Sequence, residues 1–220
     1  IAEKHSIPVI EDAAQSFGDT YQGRKSCNLS AIACASFFTS KPLGCYGDGG
    51  AIFTSDAELA RACREIRVHG QRQRYVHTRI GVGGRMDTLQ CAVVLAKLDR
   101  FSIEVTRRGA IGDRYNQIMD GLGVRRVVQR QDRTSVFAQF TILTDERDSL
   151  AGYLKSEGLP TAIHYPTPLN EQEAYEAFCC PGCTPVAKKV STQVISLPMH
   201  AELDDGQLTN IFHLLERWAR

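Results

Sequence analysis

Short apolar runs separated by polar, glycine-bearing breaks mark the first part of the chain. Ile7-Pro8-Val9-Ile10 reads as a short buried strand, and Ala31 to Phe38 and Ala51 to Thr54 as two more. Ser55-Asp56-Ala57-Glu58 predicts a capped helix start, with Ser55 accepting from an amide in the first turn and Glu58 reaching back. That helix continues through Leu59, Ala62, Cys63 and Ile66. Residues 67–86 then lose all periodicity; they are polar, basic and glycine-rich, and predict a flexible functional loop or a subunit contact. Asp87 opens a long helix with one apolar stripe through Leu89, Val93, Leu95, Leu98 and Phe101. The helical pattern resumes around Arg107, runs to Met119 and stops at Gly121-Leu122-Gly123.

Beyond residue 120 the elements are mixed. Val136 to Leu143 alternates as a strand, Arg147 to Glu157 reads as a helix ended by Gly158, and 161–166 and 194–198 read as extended. Leu208 to Trp218 predicts a closing amphipathic helix. Strand–helix succession argues for an α/β class. The expected division is a larger domain over residues 1–120 and a smaller α+β domain over 121–220. Ile1 to His5 reads as the end of a helix running straight into a strand, so an upstream portion is expected.

Composition narrows the classes. The 220 residues carry a formal net charge of +1 and are 43% hydrophobic. Pairs such as Arg107-Arg108 are short and read as solvated faces, so no nucleic-acid partner is expected. No apolar run approaches spanning length, and no membrane partner is expected. The eight cysteines do not read as a disulfide framework, and a reducing, cytoplasmic compartment is expected. Cys179-Cys180-Pro181-Gly182-Cys183 is the one cluster; it lacks the second pair or nearby histidine of a zinc site, and no metal is expected.

Candidate chemistry gathers around Ser36 to Phe53. Lys41 stands between an apolar run and Leu43-Gly44-Cys45-Tyr46-Gly47-Asp48-Gly49-Gly50. Glycine allows close backbone approach, so this segment can hold a lysine against a flat ligand. Asp12 follows the first strand, where parallel sheets place ligands, and either pairs with a cationic ring nitrogen or caps local backbone. A ring-nitrogen partner (Asp12), a small phosphate donor (Ser36) and an amine (Lys41) are parts that pyridoxal 5'-phosphate requires. Arg85 offers a planar fork for carboxylate or phosphate, or else a salt bridge to a neighbouring acid. His164 and Tyr165 open a proline-stiffened segment and read either as donors at a site edge or as packed core.

These stretches resemble the DegT/DnrJ/EryC1/StrS sugar aminotransferases. The resemblance rests on Ile10-Glu11-Asp12-Ala13-Ala14-Gln15, Ser36 to Lys41, Gly47-Asp48-Gly49-Gly50-Ala51 and His69-Gly70. It continues through Arg85-Met86-Asp87 with Leu89-Gln90 and His164-Tyr165-Pro166, and covers nearly the whole chain. It implies a type I pyridoxal-phosphate transferase fold, with a large cofactor domain and a small C-terminal domain, in an enzyme about one and a half times this length. It implies that Lys41 is catalytic, that Asp12, Gln15 and Ser36 bind the cofactor, and that Arg85, His164 and Tyr165 bind substrate. It also implies a homodimer with shared active sites, using L-glutamate and a UDP-sugar. Within the family the text is most similar to the branch acting on a UDP-linked 2-acetamido-3-keto hexuronic acid in lipopolysaccharide O-antigen synthesis. A neutral 3-keto or 4-keto sugar, a dehydratase and a regulatory relative are the alternatives; the dehydratases carry histidine where Lys41 stands.

Two departures from the family pattern matter. Thr39 and Pro42 replace the usual proline and asparagine on either side of Lys41. Gly83 stands where the family carries an asparagine that reaches the phosphate of the other subunit's cofactor. The successive amides of Gly83 and Gly84 are the expected substitute, as an anion nest.

Overall fold

The computed structural model describes residues 1–180 and 182–219. The chain divides into two compact units, residues 1–106 with 129–138 and residues 107–128 with 139–220. In the first unit three strands form the main sheet: β1 (Ile10–Asp12), β4 (Ile32–Ser36) and β5 (Gly50–Phe53). Between them lies a small antiparallel hairpin of β2 (Thr20–Tyr21) and β3 (Arg24–Lys25). The sheet order is β1-β4-β5, with β1 parallel and β5 antiparallel to β4. The second and third expected strands are present, but the first, expected as a buried strand over residues 7–10, instead covers Ile10–Asp12, with Ile7, Val9 and Ile10 exposed; Pro8 has no amide to give a ladder.

Alternation decides which face is packed. Ala33 and Ala35 of β4 are buried, and Ala35 packs in a core with Phe37, Leu43, Cys45, Val94 and Phe101. Phe17 fills its centre, stacked on Phe53 and Phe101 at centroid distances of 5.8 and 5.6 Å. The opposite face carries Ile10, Cys34 and Ile52, all exposed. Asp12 and Ser36 belong to this open face, because Asp12 pairs with Cys34 and Ser36 lies two residues further along β4.

Helix α1 (Ala57–Ile66) follows β5. Its N-cap is Asp56 rather than Ser55: the Asp56 carboxylate accepts from the amides of Glu58 and Leu59 at 2.8 and 3.0 Å. Glu58 is instead drawn to Arg61. The stretch that follows is an ordered knot, not a flexible loop. It holds a second hairpin, β6 (Gln71–Gln73) and β7 (Val76–His77). Buried Glu65 accepts from Arg79 Nε at 2.9 Å and from the Thr78 hydroxyl at 3.1 Å, while its backbone carbonyl accepts from the Gly70 amide. Gly70 has φ of 76°, and a Cβ there would sit 1.7 Å from the Arg79 carbonyl oxygen, so only glycine fits. Polar periodicity hid this because the order comes from one buried carboxylate and close backbone contacts rather than from an apolar stripe.

One helix, α2 (Thr88–Leu122), replaces the two that the pattern suggests. Ser102-Ile103-Glu104-Val105-Thr106 is rich in β-branched residues, which weakens helix propensity but breaks no hydrogen bond. Its buried residues in the first unit are Val94 and Phe101, whereas Leu89, Leu95 and Leu98 of the expected stripe are exposed.

The second unit contains residues 107–122 of α2 and a sheet of β8 (Arg125–Arg126), β9 (Phe140–Leu143) and β10 (Val194–Leu197), all antiparallel. Only the last four residues of the expected strand 136–143 pair, since Phe137 turns to φ of 44°. Helices α3 (Arg147–Ser156), α4 (Pro185–Ser191) and α5 (Asp205–Trp218) complete it. Asp204 and Gln207 cap α5 reciprocally, which starts it earlier than apolar spacing suggests. Tyr115 is buried, stacks on Phe140 at 4.6 Å and donates to the Pro198 carbonyl at 2.8 Å. Among the described residues no helix is long and apolar enough to cross a membrane.

Candidate functional site

The lysine loop leaves β4 and is fixed by its own backbone first. Phe37 donates to the Gly49 carbonyl and Cys45 to the Phe37 carbonyl, both at 2.7 Å, and Lys41 donates to Phe38 at 2.9 Å. Gly44 is needed at the crossing, because a Cβ would lie 2.7 Å from the carbonyl oxygens of both Phe38 and Thr39. Helix α2 then clamps the loop from outside. Lys97 Nζ donates to the Gly44 carbonyl at 2.6 Å and lies 4.8 Å from the centre of the Tyr46 ring. The Tyr46 amide donates to Gln90 Oε1 at 2.7 Å, and Met86 packs on Gly49. Two helical residues, Gln90 and Lys97, therefore hold Gly44 and Tyr46, in the loop that carries Lys41. Sequence reasoning saw Gln90 only as part of a motif and missed Lys97, whose role depends on a tertiary contact.

Three side chains on this unit are left available for a ligand. Lys41 is half-buried, and its amine has no hydrogen bond or ion pair among the described residues. Asp12 uses one carboxylate oxygen, accepting from the Ala14 amide at 3.0 Å, and leaves the other free. Ser36 Oγ accepts from the Phe38 amide at 3.2 Å, so its hydroxyl hydrogen remains to be donated. A free carboxylate oxygen, a free hydroxyl hydrogen and an unpaired amine fit the ring nitrogen, phosphate and aldehyde of pyridoxal phosphate. Gln15 is exposed in the turn after β1, and its side chain makes no hydrogen bond among the described residues.

A cleft of about 700 Å³ opens on the same sheet face, lined by Cys34, Gly50 and Ile52, by Arg64 and Arg67, and by Arg85. None of the three arginines has an ion-pair partner among the described residues, so the salt-bridge alternative for Arg85 is not what the structure shows. Unpaired guanidinium groups on a concave wall suit a carboxylate or phosphate. Arg64 and Arg67 escaped the sequence reading, although their i, i+3 spacing puts them on one helix face.

Gly83 faces His69: a Cβ on it would lie 3.1 Å from the imidazole. The Gly84 amide already donates to the Arg67 carbonyl at 2.9 Å. Two successive free amides are therefore not on offer here, which corrects the expectation of a nest at Gly83-Gly84.

The second unit carries the other two candidates. His164 Nδ1 lies 2.9 Å from Ser196 Oγ, which lies 2.9 Å from Thr141 Oγ1, so β9, β10 and the 161–166 segment share one polar chain. The Ala162–Ser196 bridge, with hydrogen bonds of 3.1 and 2.7 Å, aligns that segment on the edge of β10. His164 Nε2 is left without a partner among the described residues. Tyr165 is exposed, joined to His164 by a cis peptide, and its ring stands edge-on to the imidazole at 5.5 Å.

Comparison with known proteins now decides the family. The model of the DegT/DnrJ/EryC1/StrS aminotransferase family matches residues 1–216. The chain belongs to this family. It is 51% identical over 208 residues to the UDP-2-acetamido-2-deoxy-3-oxo-D-glucuronate aminotransferase of Pseudomonas aeruginosa, covering 94% of this chain and 57% of that protein. A family aminotransferase from Brucella abortus superposes with a TM-score of 0.94 at 37% identity, covering 99% of this chain and 59% of that one. DesV of S. venezuelae, solved in complex with a ketimine intermediate, superposes with a TM-score of 0.95 at 35% identity, covering 100% and 60%. The chain thus spans less than two thirds of the length of each of these relatives. The fold is the family's: an α/β portion followed by a smaller α+β portion.

Proposed function

We propose that the protein is a pyridoxal-phosphate-dependent aminotransferase that moves the amino group of L-glutamate to a nucleotide-linked keto sugar. The observation that carries this reading is the unpaired Lys41 amine, in a loop clamped by α2 at Gly44 and Tyr46, on a unit whose open sheet face offers Asp12 and Ser36. The 51% identity to the Pseudomonas aeruginosa enzyme supports UDP-2-acetamido-2-deoxy-3-keto-glucuronate as the acceptor.

Pyridoxal phosphate, when bound, supplies the electron sink for the transfer. The chain's own residues have separate tasks. Asp12 keeps the ring nitrogen protonated through its free oxygen. Ser36 donates to the phosphate, and Gln15 borders the ring. Lys41 is the attachment amine and then the general base and acid that takes and returns the proton on the carbon bearing nitrogen. On the first unit the Arg85 guanidinium pairs with a substrate carboxylate; on the second unit His164 and Tyr165 are substrate donors. Gly83 lies where one subunit of a homodimer would reach its partner's cofactor.

Two measurements test this. Incubation with L-glutamate should release 2-oxoglutarate, and Lys41→Ala should abolish release; turnover surviving in Lys41→Ala refutes the proposal. A panel of UDP-, dTDP- and GDP-linked keto sugars should then favour the UDP-linked uronic acid. Arg85→Ala should lower that preference by about tenfold or more, the worth of roughly 1.5–3 kcal/mol for a charged hydrogen bond. A wild type that prefers neutral sugars overturns the choice of acceptor and leaves the aminotransfer standing.

A further inference from the structure

The cysteine cluster of the second unit has no part in the proposed transfer. Cys180 and Cys183 are joined by a disulfide with a Cα separation of 5.7 Å. Pro181, between them, lies outside the described residues. The sequence led to no disulfide framework, and the structure agrees in part: six other cysteines are free thiols, and the one bridge spans three residues.

Such a bridge is a poor staple. Constraint of the unfolded chain grows with the length of the closed loop, and this loop is about as short as a disulfide can close. Cys-x-x-Cys is instead the spacing of dithiols that exchange. Both bridged residues are exposed, so an attacking thiolate can reach either sulfur. Adjacent Cys179 is a free thiol of intermediate exposure.

The bridge is also wired to the segment that begins at His164-Tyr165. Thr184, the next residue after Cys183, donates from its hydroxyl to Asn170 Oδ1 at 2.8 Å. Lys188 pairs with Glu171 at 2.8 Å. From there a relay of backbone hydrogen bonds leads to the cluster: Glu171 to Pro168, Gln172 to Leu169, Tyr175 to Gln172 and Cys179 to Tyr175, at 2.8 to 3.2 Å.

We propose that Cys180 and Cys183 form a thiol–disulfide exchange site for low-molecular-weight thiols, and that its oxidation state sets the order of residues 168–179. In the reducing direction a thiolate attacks one bridge sulfur and gives a mixed disulfide and one protein thiol. A second thiol then displaces the first as a small disulfide. One protein S–S bond breaks, one S–S bond forms between the two small thiols, and two electrons and two protons pass to Cys180 and Cys183. Oxidised glutathione drives the reverse.

The purified protein, equilibrated with glutathione at graded ratios of reduced to oxidised form, provides the test. Denatured samples should titrate as six thiols at the oxidising end and eight at the reducing end, with peptide mapping placing the pair at 180–183. Hydrogen exchange on the same samples should show the amides of Glu171, Gln172, Tyr175 and Cys179 exchanging several-fold faster when reduced. Cys183→Ser should show the reduced pattern at every ratio, and Cys179→Ser should behave as wild type. Eight thiols at the oxidising end, six at the reducing end, a pair that includes Cys179, or identical exchange in both states each overturns the proposal. The wild-type samples alone decide it if a variant does not fold. No readout requires turnover, so failure of the aminotransferase reading would leave this result intact.

Discussion

Lys97 shows how a residue remote from the chemistry can govern it. Its ammonium is shared between the Gly44 carbonyl, at 2.6 Å, and the face of the Tyr46 ring. Lys97→Met keeps the stem and removes both contacts; a charged hydrogen bond of this kind is worth roughly 1.5–3 kcal/mol. The expected outcome is a lower denaturation midpoint together with a drop in kcat at nearly constant KM for glutamate, rescued in part by Lys97→Arg. Unchanged kcat in a folded Lys97→Met protein would show that the clamp does not position Lys41. Glu65 is the second such residue. Burial pushes its carboxyl up, but the hydrogen bonds from Arg79 and Thr78 outweigh that and hold it below the ordinary 4.5. A depressed folded-state value means that the contribution is present above pH 4.5 and is lost as pH falls through the folded value. The stability gap between wild type and Arg79→Met should therefore be full above pH 4.5 and close as pH falls, measured by urea denaturation at graded pH, and a gap that widens on acidification would contradict the sign.

At the scale of elements, the β2–β3 hairpin is strapped by residues 129–138 of the same unit. Gln22 donates to the Asp132 carbonyl at 2.7 Å, Thr134 donates to the Thr20 carbonyl at 3.0 Å, and Arg133 lies over the Tyr21 ring at 4.9 Å. Asp19 sits beside this strap with Oδ1 buried and unpaired. Burial pushes its carboxyl up to about 7, against the opposing pull of the Val136 amide and Lys25. The unfolded chain releases this proton near 3.8, so the folded state binds more protons between there and 7. Stability should fall as pH rises across that window and level off above it. Asp19→Asn should be more stable than wild type at pH 8 and equal to it below pH 4, measured by urea denaturation; a wild type that is the more stable at pH 8 refutes this. None of the strap was legible in the sequence, because its bonds join positions more than a hundred residues apart. The strand bearing Ser36 was legible, since an apolar run and a following glycine-rich turn are local signals, whereas the strand bearing Asp12 was read as ending at Ile10 because the apolar run stops there. The N-cap of α1 was misread by one residue because Ser55 and Asp56 are both good caps. Helix α2 was read as two because a β-branched run lowers propensity without breaking the ladder.

For the molecule as a whole, exposed leucines on α2 bear on the proposed homodimer. Leu89, Leu95 and Leu98 of α2 are 80%, 65% and 45% exposed, although the sequence spacing marks them as a buried stripe. Leu95 and Leu98, three residues apart, share one side of the helix, and exposed leucines of this kind suit a contact with further protein. The proposed homodimer would cover them with a second copy, and Gly83 and Arg85 lie just before the same helix. A charge placed in such a contact is costly once desolvated, so Leu95→Glu should shift the protein from dimer to monomer in sedimentation. If the sites are shared, one subunit supplies Lys41 and its partner supplies Arg85. Mixing Lys41→Ala with Arg85→Ala subunits then builds a heterodimer in which one site has both wild-type residues and the other has neither. Random exchange makes about half of the dimers mixed, each with one good site, so roughly a quarter of wild-type activity on the uronic acid should return, above the level of the inactive Lys41→Ala parent and of the weakened Arg85→Ala parent. Activity that stays at the parental level after subunit exchange, with heterodimers confirmed by mass, would place Lys41 and Arg85 in the same subunit's site and end the shared-site reading.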